Sequence, residues 1–447
     1  MSEGRKKVWI KTYGCQMNER DTEALQAMLS KSGYVIVDEG EEDVAILNTC
    51  SIRELAELKA LGKAGRLLKK KRQKPDYKVG VIGCMAANKH NLLAQKLPGI
   101  DFIVPPQALS MVPQLIQQVF RDGKKPSFSL PEAFDFSCYE LPGLTHKASV
   151  GVPVQTGCNM ACSYCIVPQT RGSQQNRSFD SILREVHCVS EEGGAKEIML
   201  LGQIVNTYRD PSSSKNFVDL LEAIHEIEAV KRIRFMSPHP AFFSKRLIQS
   251  FASLPKLCPA LHLPIQCGSD RVLKAMHRAY TKQKVFEIIQ DLRSIHPDMS
   301  ISTDLIVGYP GESEEDFQAT VDLFDAVKFD MAYIFKYSAR PSTIAAAQEA
   351  SGMRVPESVK ELRNQRLLKM LTECSQAYND QFVGSQQEVL IEGKANRGQD
   401  KLFGRNVYNK KVIVTGPATW INTLKNVKVE KASSSVLEGV VLEESAN

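Results

Sequence analysis

Short apolar runs alternate with helical patterns along most of the chain, and this alternation restricts the fold more than any other feature. The runs Lys7 to Thr12, Asp43 to Asn48, Lys78 to Gly83 and Asp101 to Val104 are interleaved with helical patterns from Asn18, Ser51 to Arg72 and Ala86 to Leu97. Strand and helix in turn predict a parallel sheet with crossover helices. A stretch of low periodicity with prolines, Gly123 to Lys147, reads as a linker with little structure of its own. The alternation then resumes on a longer scale, with strands expected at Ala148 to Gln155, Glu197 to Gly202, Ile233 to Ser237, Ala260 to Ile265, Ser300 to Val307 and Met331 to Tyr337. Six units make an open, partial (β/α) barrel, since a closed one of eight takes about 250 residues. Ser313 and Asp316 have capping-box spacing ahead of a helix with apolar positions Phe317, Val321, Phe324 and Val327.

Next comes a charged helix, Val359 to Tyr378, with Lys360, Arg363, Arg366 and Lys369 at steps of three. Each step drifts about 60° from the same face, so the pattern reads as a winding, solvated ridge. Beyond it, the β-rich runs Gln387 to Ile391, Lys411 to Val414, Thr419 to Ile421 and Lys425 to Val429 predict a small β-barrel.

The 447 residues are enough for about three domains. Hydrophobic residues at 43% and charged residues at 24% exclude wholesale disorder and small disulfide scaffolds. No run approaches the roughly 18 apolar residues of a membrane span, and Met1 to Gly14 carries Arg5, Lys6, Lys7 and Lys11 without an apolar signal region, so a cytoplasmic protein is expected. In that reducing compartment eleven cysteines, an odd number, argue for metal ligation or thiol chemistry over disulfides. The net charge of +6 is unevenly spread. Gly384 to Ala432 holds nine Lys or Arg against four acids, a basic module suited to a polyanion, while Ser433 to Asn447 carries Glu438, Glu443 and Glu444.

Cys158, Cys162 and Cys165 fall within eight residues, directly after the first expected barrel strand. Three thiolates from one loop are too few to close a tetrahedral zinc site, and no fourth local ligand is evident. Iron and sulfur fit better: three cysteines on a four-iron cluster leave one iron open to an exogenous ligand, at the strand end where such barrels carry chemistry. Cys15, Cys50 and Cys84 are distant in sequence, but each follows an expected strand and precedes a helix. In one parallel sheet they emerge together at the carboxyl edge, where open α/β folds bind ligands, either as a second cluster site or as buried structural cysteines.

The spacing C-x3-C-x2-C on the first barrel loop resembles the radical S-adenosylmethionine superfamily. That resemblance implies that the open iron is chelated by the cofactor's amino and carboxylate groups and that one electron cleaves it to a 5′-deoxyadenosyl radical. Glu192 to Glu197 (EGGAKE) resembles the segment holding the methionine end, and Gly308 to Glu312 (GYPGE) the segment near the adenine. Thr12 to Asn18 (TYGCQMN), Asn48 to Glu54 (NTCSIRE), Gly202 to Tyr208, Ser237 to Pro240, Leu263 to Asp270 and Ser302 to Asp304 are similar to motifs of the methylthiotransferase family, over nearly the whole chain. Gln-Met-Asn after Cys15 and Ser-Ile-Arg-Glu after Cys50 favour the branch acting on dimethylallyladenosine in tRNA. Ala161 stands where a bulky residue is common and Cys267, read as a packed small residue, where Ser is usual.

Phe403 to Asn406 (FGRN) within the basic module resembles the TRAM domain of RNA-modifying enzymes. Phe403, Tyr408 and Trp420 could stack on unpaired bases if exposed; the alternative is that Phe403 and Trp420 fill the barrel core. The run Lys69 to Arg72 with Lys74 complements a helix C-terminus or touches RNA.

The resemblance therefore implies an N-terminal flavodoxin-like parallel-sheet domain (1–122) with an auxiliary 4Fe–4S cluster on Cys15, Cys50 and Cys84; a linker (123–143); a central partial (β/α)6 TIM-like radical barrel (144–375); a small C-terminal β-barrel, TRAM (376–441); and a tail (442–447). In the barrel, Cys158, Cys162 and Cys165 would hold a second 4Fe–4S cluster with exchangeable S-adenosylmethionine, and Tyr164, Gln203, Ser237 and Asp304 would line that cofactor's pocket. The implied reaction inserts sulfur at carbon 2 of N6-dimethylallyladenosine at position 37 of tRNA and methylates it with S-adenosylmethionine. A radical is needed because that carbon–hydrogen bond is inert to acid–base chemistry. The enzyme is expected to be a monomer, with separate electron and sulfur donors. The rivals are a methylthiotransferase for threonylcarbamoyladenosine or a ribosomal protein, and a noncatalytic RNA-binding iron–sulfur sensor.

Overall fold

A computed structural model describes residues 5–51, 54–123, 125–126, 128–140, 147–398 and 400–442. Ile52 and Arg53 of the second cysteine motif, residues 144–146 at the start of the expected barrel domain, and the tail acids Glu443 and Glu444 lie outside the described residues.

The first sheet contains β1 (Lys7–Thr12), β2 (Val35–Ile36), β3 (Val44–Thr49), β4 (Lys78–Gly83) and β5 (Phe102–Val104). Its order is β2-β1-β3-β4-β5 with every pairing parallel, the doubly wound, flavodoxin-like order. Helices cover both faces, so successive residues of β3 feed opposite cores: Val44 and Ile46 pack with Leu25 and Leu115, while Ala45 and Leu47 pack with Leu67 and Tyr77. Burial on both sides is why the run is continuously apolar and not alternating.

The expected linker has structure of its own where it is described. Phe134, Cys138 and Tyr139 are buried in the first core, and the Tyr139 hydroxyl donates to Asp21 at 2.6 Å. Low periodicity concealed this because the anchors are aromatics packing singly rather than on one face of an element.

The central domain begins with β6 (Ser149–Pro153), continues through the short ribbon of β7 (Gln155–Thr156) and β8 (Gln175–Asn176), and then adds β9 (Glu197–Leu201), β10 (Arg232–Phe235), β11 (Ala260–His262), β12 (Ser300–Val307) and β13 (Met331–Lys336). Parallel pairing runs β6-β9-β10 and β11-β12-β13, and Ile233 joins the two halves through Lys256 and Cys258. This is the open six-unit barrel. Among the described residues, β13 has no strand on its outer side. Its residues Met331, Tyr333 and Phe335 are exposed, while Ala332 and Ile334 pack inward against the core. Ser313 and Asp316 form the expected capping box on helix Glu314–Val327.

Helix Glu357–Asp380 departs from the solvated-ridge expectation. Lys360 and Arg363 are buried: Lys360 reaches Glu349 at 3.1 Å and the Tyr337 carbonyl at 3.2 Å, and Arg363 reaches Glu312 at 2.7 Å and Glu314 at 3.1 Å. Acids from other elements neutralise these two, and their approach cannot be read from a helix pattern, while Arg366 and Lys369 are exposed as expected.

The last domain is a closed barrel, β14-β15-β16-β18-β17, of β14 (Gln386–Lys394), β15 (Lys401–Asn406), β16 (Lys411–Thr415), β17 (Leu424–Ala432) and β18 (Leu437–Val441). The expected run Thr419 to Ile421 is instead part of a 3-10 turn, Ala418–Trp420, after Pro417. There the Trp420 ring lies against Gly416, where any side chain would collide with it. Phe403 does not fill the core. Leu402 and Gly404 alternate inward, while Phe403 faces out beneath the Lys411 ammonium, 5.2 Å from its ring centre. Trp420 and Tyr408 pack half-buried on the core's margin.

This barrel docks on the amino edge of the central one. Arg232 donates to the carbonyls of Arg405 and Glu388 at 2.8 Å, Arg234 to those of Val407 and Asn406 at 3.0 and 2.8 Å, and Lys410 pairs with Asp330. Among the described residues no helix is long and apolar enough to cross a membrane.

Candidate metal and cofactor centres

The first thiol triad is assembled by three neighbouring strands. Register pairs Thr12 with Asn48 and Thr49 with Gly83, so Cys15, Cys50 and Cys84 emerge side by side at the carboxyl edge. Two glycines permit the approach. At Gly14 (φ +136°) an added Cβ would stand 2.7 Å from the Cys50 Cβ, and at Gly83 (φ +91°) one would stand 2.6 Å from the Thr49 carbonyl oxygen. Asn18 ties the strand ends together, donating to the carbonyls of Tyr13 and Thr49 at 3.1 and 3.0 Å. Burial pushes the Cys84 thiol up to about 11; Arg171 opposes that rise, and Cys15 and Cys50 add to it, which marks the three thiols as close neighbours.

The second triad lies on the loop after β7. The Met160 and Val167 amides point at the sulfurs of Cys158 and Cys165 at 3.4 and 3.5 Å, and Arg278 Nη1 lies 3.5 Å from the Cys162 sulfur. Segments from the far side of the barrel pin the loop: Ser163 meets the Tyr309 hydroxyl at 2.8 Å, and His277 Nδ1 lies 3.0 Å from the Ala161 carbonyl oxygen. Burial pushes Cys165 up to about 12 and raises Cys158. Metal binding to thiols releases their protons.

The donor chemistry of both sites suits iron–sulfur clusters: each offers three thiols, and at the second triad amide and guanidinium donors are turned toward sulfur. Among the described residues no three His, Cys, Asp or Glu side chains close around one ion. Thiols that each serve a different iron have no need to do so. For a polar cofactor, three consecutive strand ends offer buried atoms without partners among the described residues: Gln155 Nε2, Gln203 Oε1 and His239 Nε2. Burial, with Arg278 nearby, lowers His239 to about 3, so its ring is neutral; Nδ1 accepts from the Ala241 amide, which leaves the proton on Nε2.

Of the pocket residues expected from sequence, Gln203 and Ser237 (φ +57°) stand at the ends of β9 and β10. Asp304 lies on β12, 3.5 Å from His262, and Tyr164 packs on the barrel core, where the charges acting on it are those of Arg278 and the neighbouring thiols. The EGGAKE segment cannot hold the methionine end. It precedes β9 at the amino edge, where Lys196 bonds the Ala148 carbonyl, and five strand residues, about 16 Å, separate it from the thiols. Gly202 and Gln203 occupy the carboxyl end instead. Sequence reasoning missed Arg171, Arg278, Gln155 and Asn18. Cys267 is packed as expected, 1% exposed with its sulfur 3.4 Å from Thr320 Oγ1. Within the basic helix end, Lys70, Lys71 and Lys74 pair with Glu42, Asp101 and Asp43, which makes these three intradomain ties.

The two carboxyl edges face each other. Helix Cys84–Asn88 packs on helix Val167–Arg171, which directly follows the second thiol loop. Arg20 pairs with Glu185 at 2.5 Å and Arg171 with Asp21 at 2.8 Å across the same boundary.

Comparison with known proteins agrees with this architecture. Residues 7–105 match the model of Uncharacterized protein family UPF0004, 152–324 the Radical SAM superfamily and 380–442 the TRAM domain. Among solved structures, the radical S-adenosylmethionine methyltransferase TsrM from Kitasatospora setae covers 78% of each chain with TM-score 0.57 at 13% identity. The cobalamin-dependent S-adenosylmethionine radical enzyme OxsB covers 91% of this chain and 64% of its own with TM-score 0.52 at 11% identity. At such identities these show the fold. The tRNA-2-methylthio-N(6)-dimethylallyladenosine synthases of Opitutus terrae (41% identical; 98% of this chain, 97% of the relative), Akkermansia muciniphila (41%; 97% and 98%) and Herminiimonas arsenicoxydans (39%; 98% and 99%) match end to end. With all three domain models and full-length relatives in agreement, the chain belongs to the tRNA-2-methylthio-N(6)-dimethylallyladenosine synthase family of radical S-adenosylmethionine methylthiotransferases.

Proposed function

We propose that this chain methylthiolates N6-dimethylallyladenosine at position 37 of tRNA, at carbon 2 of the adenine. The observation that carries the reading is the end-to-end similarity to synthases of that name. The enzyme uses 4Fe–4S clusters and S-adenosylmethionine, which when bound supply the radical, the sulfur and the methyl group. Cys15, Cys50 and Cys84 (domain 1–122) hold the auxiliary cluster, and Cys158, Cys162 and Cys165 (domain 144–375) the one that binds S-adenosylmethionine. Gln203, Ser237, Asp304 and Tyr164 line the cofactor pocket, joined by Gln155 and His239, whose unpartnered atoms favour a polar ligand.

Facing thiol edges bring both centres to one adenine. That base must leave its stack to reach them. Tyr333 and Phe335 are exposed on the barrel's free edge with rings 6.5 Å apart and nearly parallel, and an unstacked base can lie on them. The C-terminal barrel (376–441) grips RNA phosphates with Lys394, Arg397, Lys428 and Lys431, all exposed. The enzyme works as a cytoplasmic monomer with separate reductant and sulfur donor. Mass spectrometry of tRNA nucleosides tests the substrate: deletion of the gene should replace the methylthio nucleoside by dimethylallyladenosine, and this chain, but not its Cys158→Ala variant, should restore it. Persistence of the methylthio nucleoside in the deletion strain would overturn the reading.

A further inference from the structure

Helix Val167–Arg171 belongs to the radical barrel, yet its last residue is buried against the thiol edge of the other domain. Arg171 is 4% exposed. Its Nη2 donates to Asn18 Oδ1 at 2.9 Å and Asp21 Oδ2 at 2.8 Å. Its Nη1 is buried and has no hydrogen-bond partner among the described residues. A guanidinium presents its donors in a fixed plane, and native folds rarely leave one idle in the interior. Asp21 is already shared with the Tyr139 hydroxyl. After Asp21, the charges acting most strongly on Arg171 are the thiols of Cys84 and Cys15, and Asn18, which holds Arg171, lies 3.7 Å from the Cys15 sulfur. Asn18 Oδ1 thus links the guanidinium to the Cys15 thiol, and the helix that ends at Arg171 packs on the helix that begins at Cys84.

We infer that Arg171 is a positioning residue for the auxiliary cluster: Nη1 donates a hydrogen bond to a sulfur atom of the cluster held by Cys15, Cys50 and Cys84, so that the radical barrel completes the metal site of the N-terminal domain. The inference rests on the ligand assignment proposed above. Hydrogen bonds to sulfur and nearby positive charge stabilise the reduced cluster and raise its potential. Arg171 would then set the potential of one centre from a helix that immediately follows the ligands of the other.

The test uses the full chain with Cys158, Cys162 and Cys165 changed to Ala, so that one cluster reports. Protein labelled with 15N-arginine should show, by pulsed EPR of the reduced cluster, a 15N coupling that disappears in Arg171→Lys. Arg171→Gln should keep about four irons per chain and shift the potential downward. No coupling in the labelled protein, a coupling that survives Arg171→Lys, or four irons with an unmoved potential in Arg171→Gln would each overturn the inference alone. If Arg171→Gln takes up no iron, the labelled spectrum of the Arg171-containing protein decides. Iron absent from the background itself would remove the ligand assignment and the inference together.

Discussion

At Gly14 the chain turns with φ +136° and passes so close to Cys50 that a methyl group has nowhere to go. Gly14→Ala should therefore act like loss of a ligand. In reconstituted protein, iron should fall from about eight to about four per chain for both Gly14→Ala and Cys50→Ala; an unchanged count in Cys50→Ala would show that the auxiliary site is not built from that thiol. Glu42 is a different kind of residue, structural and away from the thiols. Burial alone would raise its carboxyl, but Lys70, Tyr77 and the Gly40 amide overcome that and hold it at about 2. A depressed pKa stabilises the fold above the ordinary carboxylate range and ceases to do so as pH falls through about 2. Glu42→Gln should lower stability to urea by about 2 kcal/mol at pH 7, with the gap closing below pH 4. Cys158, Cys162 and Cys165 were legible from their spacing, and Cys15, Cys50 and Cys84 because each follows an apolar run. Arg171 and Arg278 were not, since the contacts that bring them to Asp21 and to Cys162 span more than a hundred residues and an isolated arginine shows no period.

Among the elements, strands buried on both sides were read almost to the residue, because β-branched runs between turns have few other uses. The failures share a cause. β15 contains Gly404 and Arg405 and looks unlike a strand, although Leu402 and Gly404 alternate inward; Thr419 to Ile421 looks like a strand, but Gly416 and Pro417 commit it to a turn. Helix Glu357–Asp380 was recognised as a helix with Arg366 and Lys369 exposed, but Lys360 and Arg363 are buried, since Glu349, Glu312 and Glu314 approach them from other elements. The free edge β13 supports a prediction of its own. Tyr333→Ala with Phe335→Ala should weaken binding or raise KM for tRNA about tenfold, within the roughly 1–3 kcal/mol of base stacking, with both clusters retained. An unaltered KM would show that the base lies elsewhere.

At the scale of the molecule, the carboxyl edges of two parallel folds meet over the thiols, and the C-terminal barrel occupies the opposite edge. No property of a single sequence indicates that arrangement, because the contacts that create it are a few arginine-to-carboxylate and arginine-to-carbonyl bonds between residues 150 or more apart. Arg234 anchors it and also neutralises Glu197, both side chains buried at 2.8 Å. Arg234→Ala leaves that buried carboxylate with the Ser149 hydroxyl but without its paired charge, so the loss should be about 3 kcal/mol. Limited proteolysis should then release a fragment beginning near residue 380, whereas an intact digestion pattern would show the docking does not depend on this bond.

The two triads also differ in how far apart their members lie along the chain, and this bears on how the protein is made. Cys158, Cys162 and Cys165 span eight residues, so an unfolded nascent chain can already offer them to metal. Cys15, Cys50 and Cys84 are separated by 35 and 34 residues and meet only when three parallel strands have found their register, a slow, high-contact-order event. On the ligand assignment proposed above, the N-terminal thiols, though synthesised first, come together only once their sheet has formed, so a chain whose first domain misfolds scatters that triad while Cys158, Cys162 and Cys165 remain neighbours.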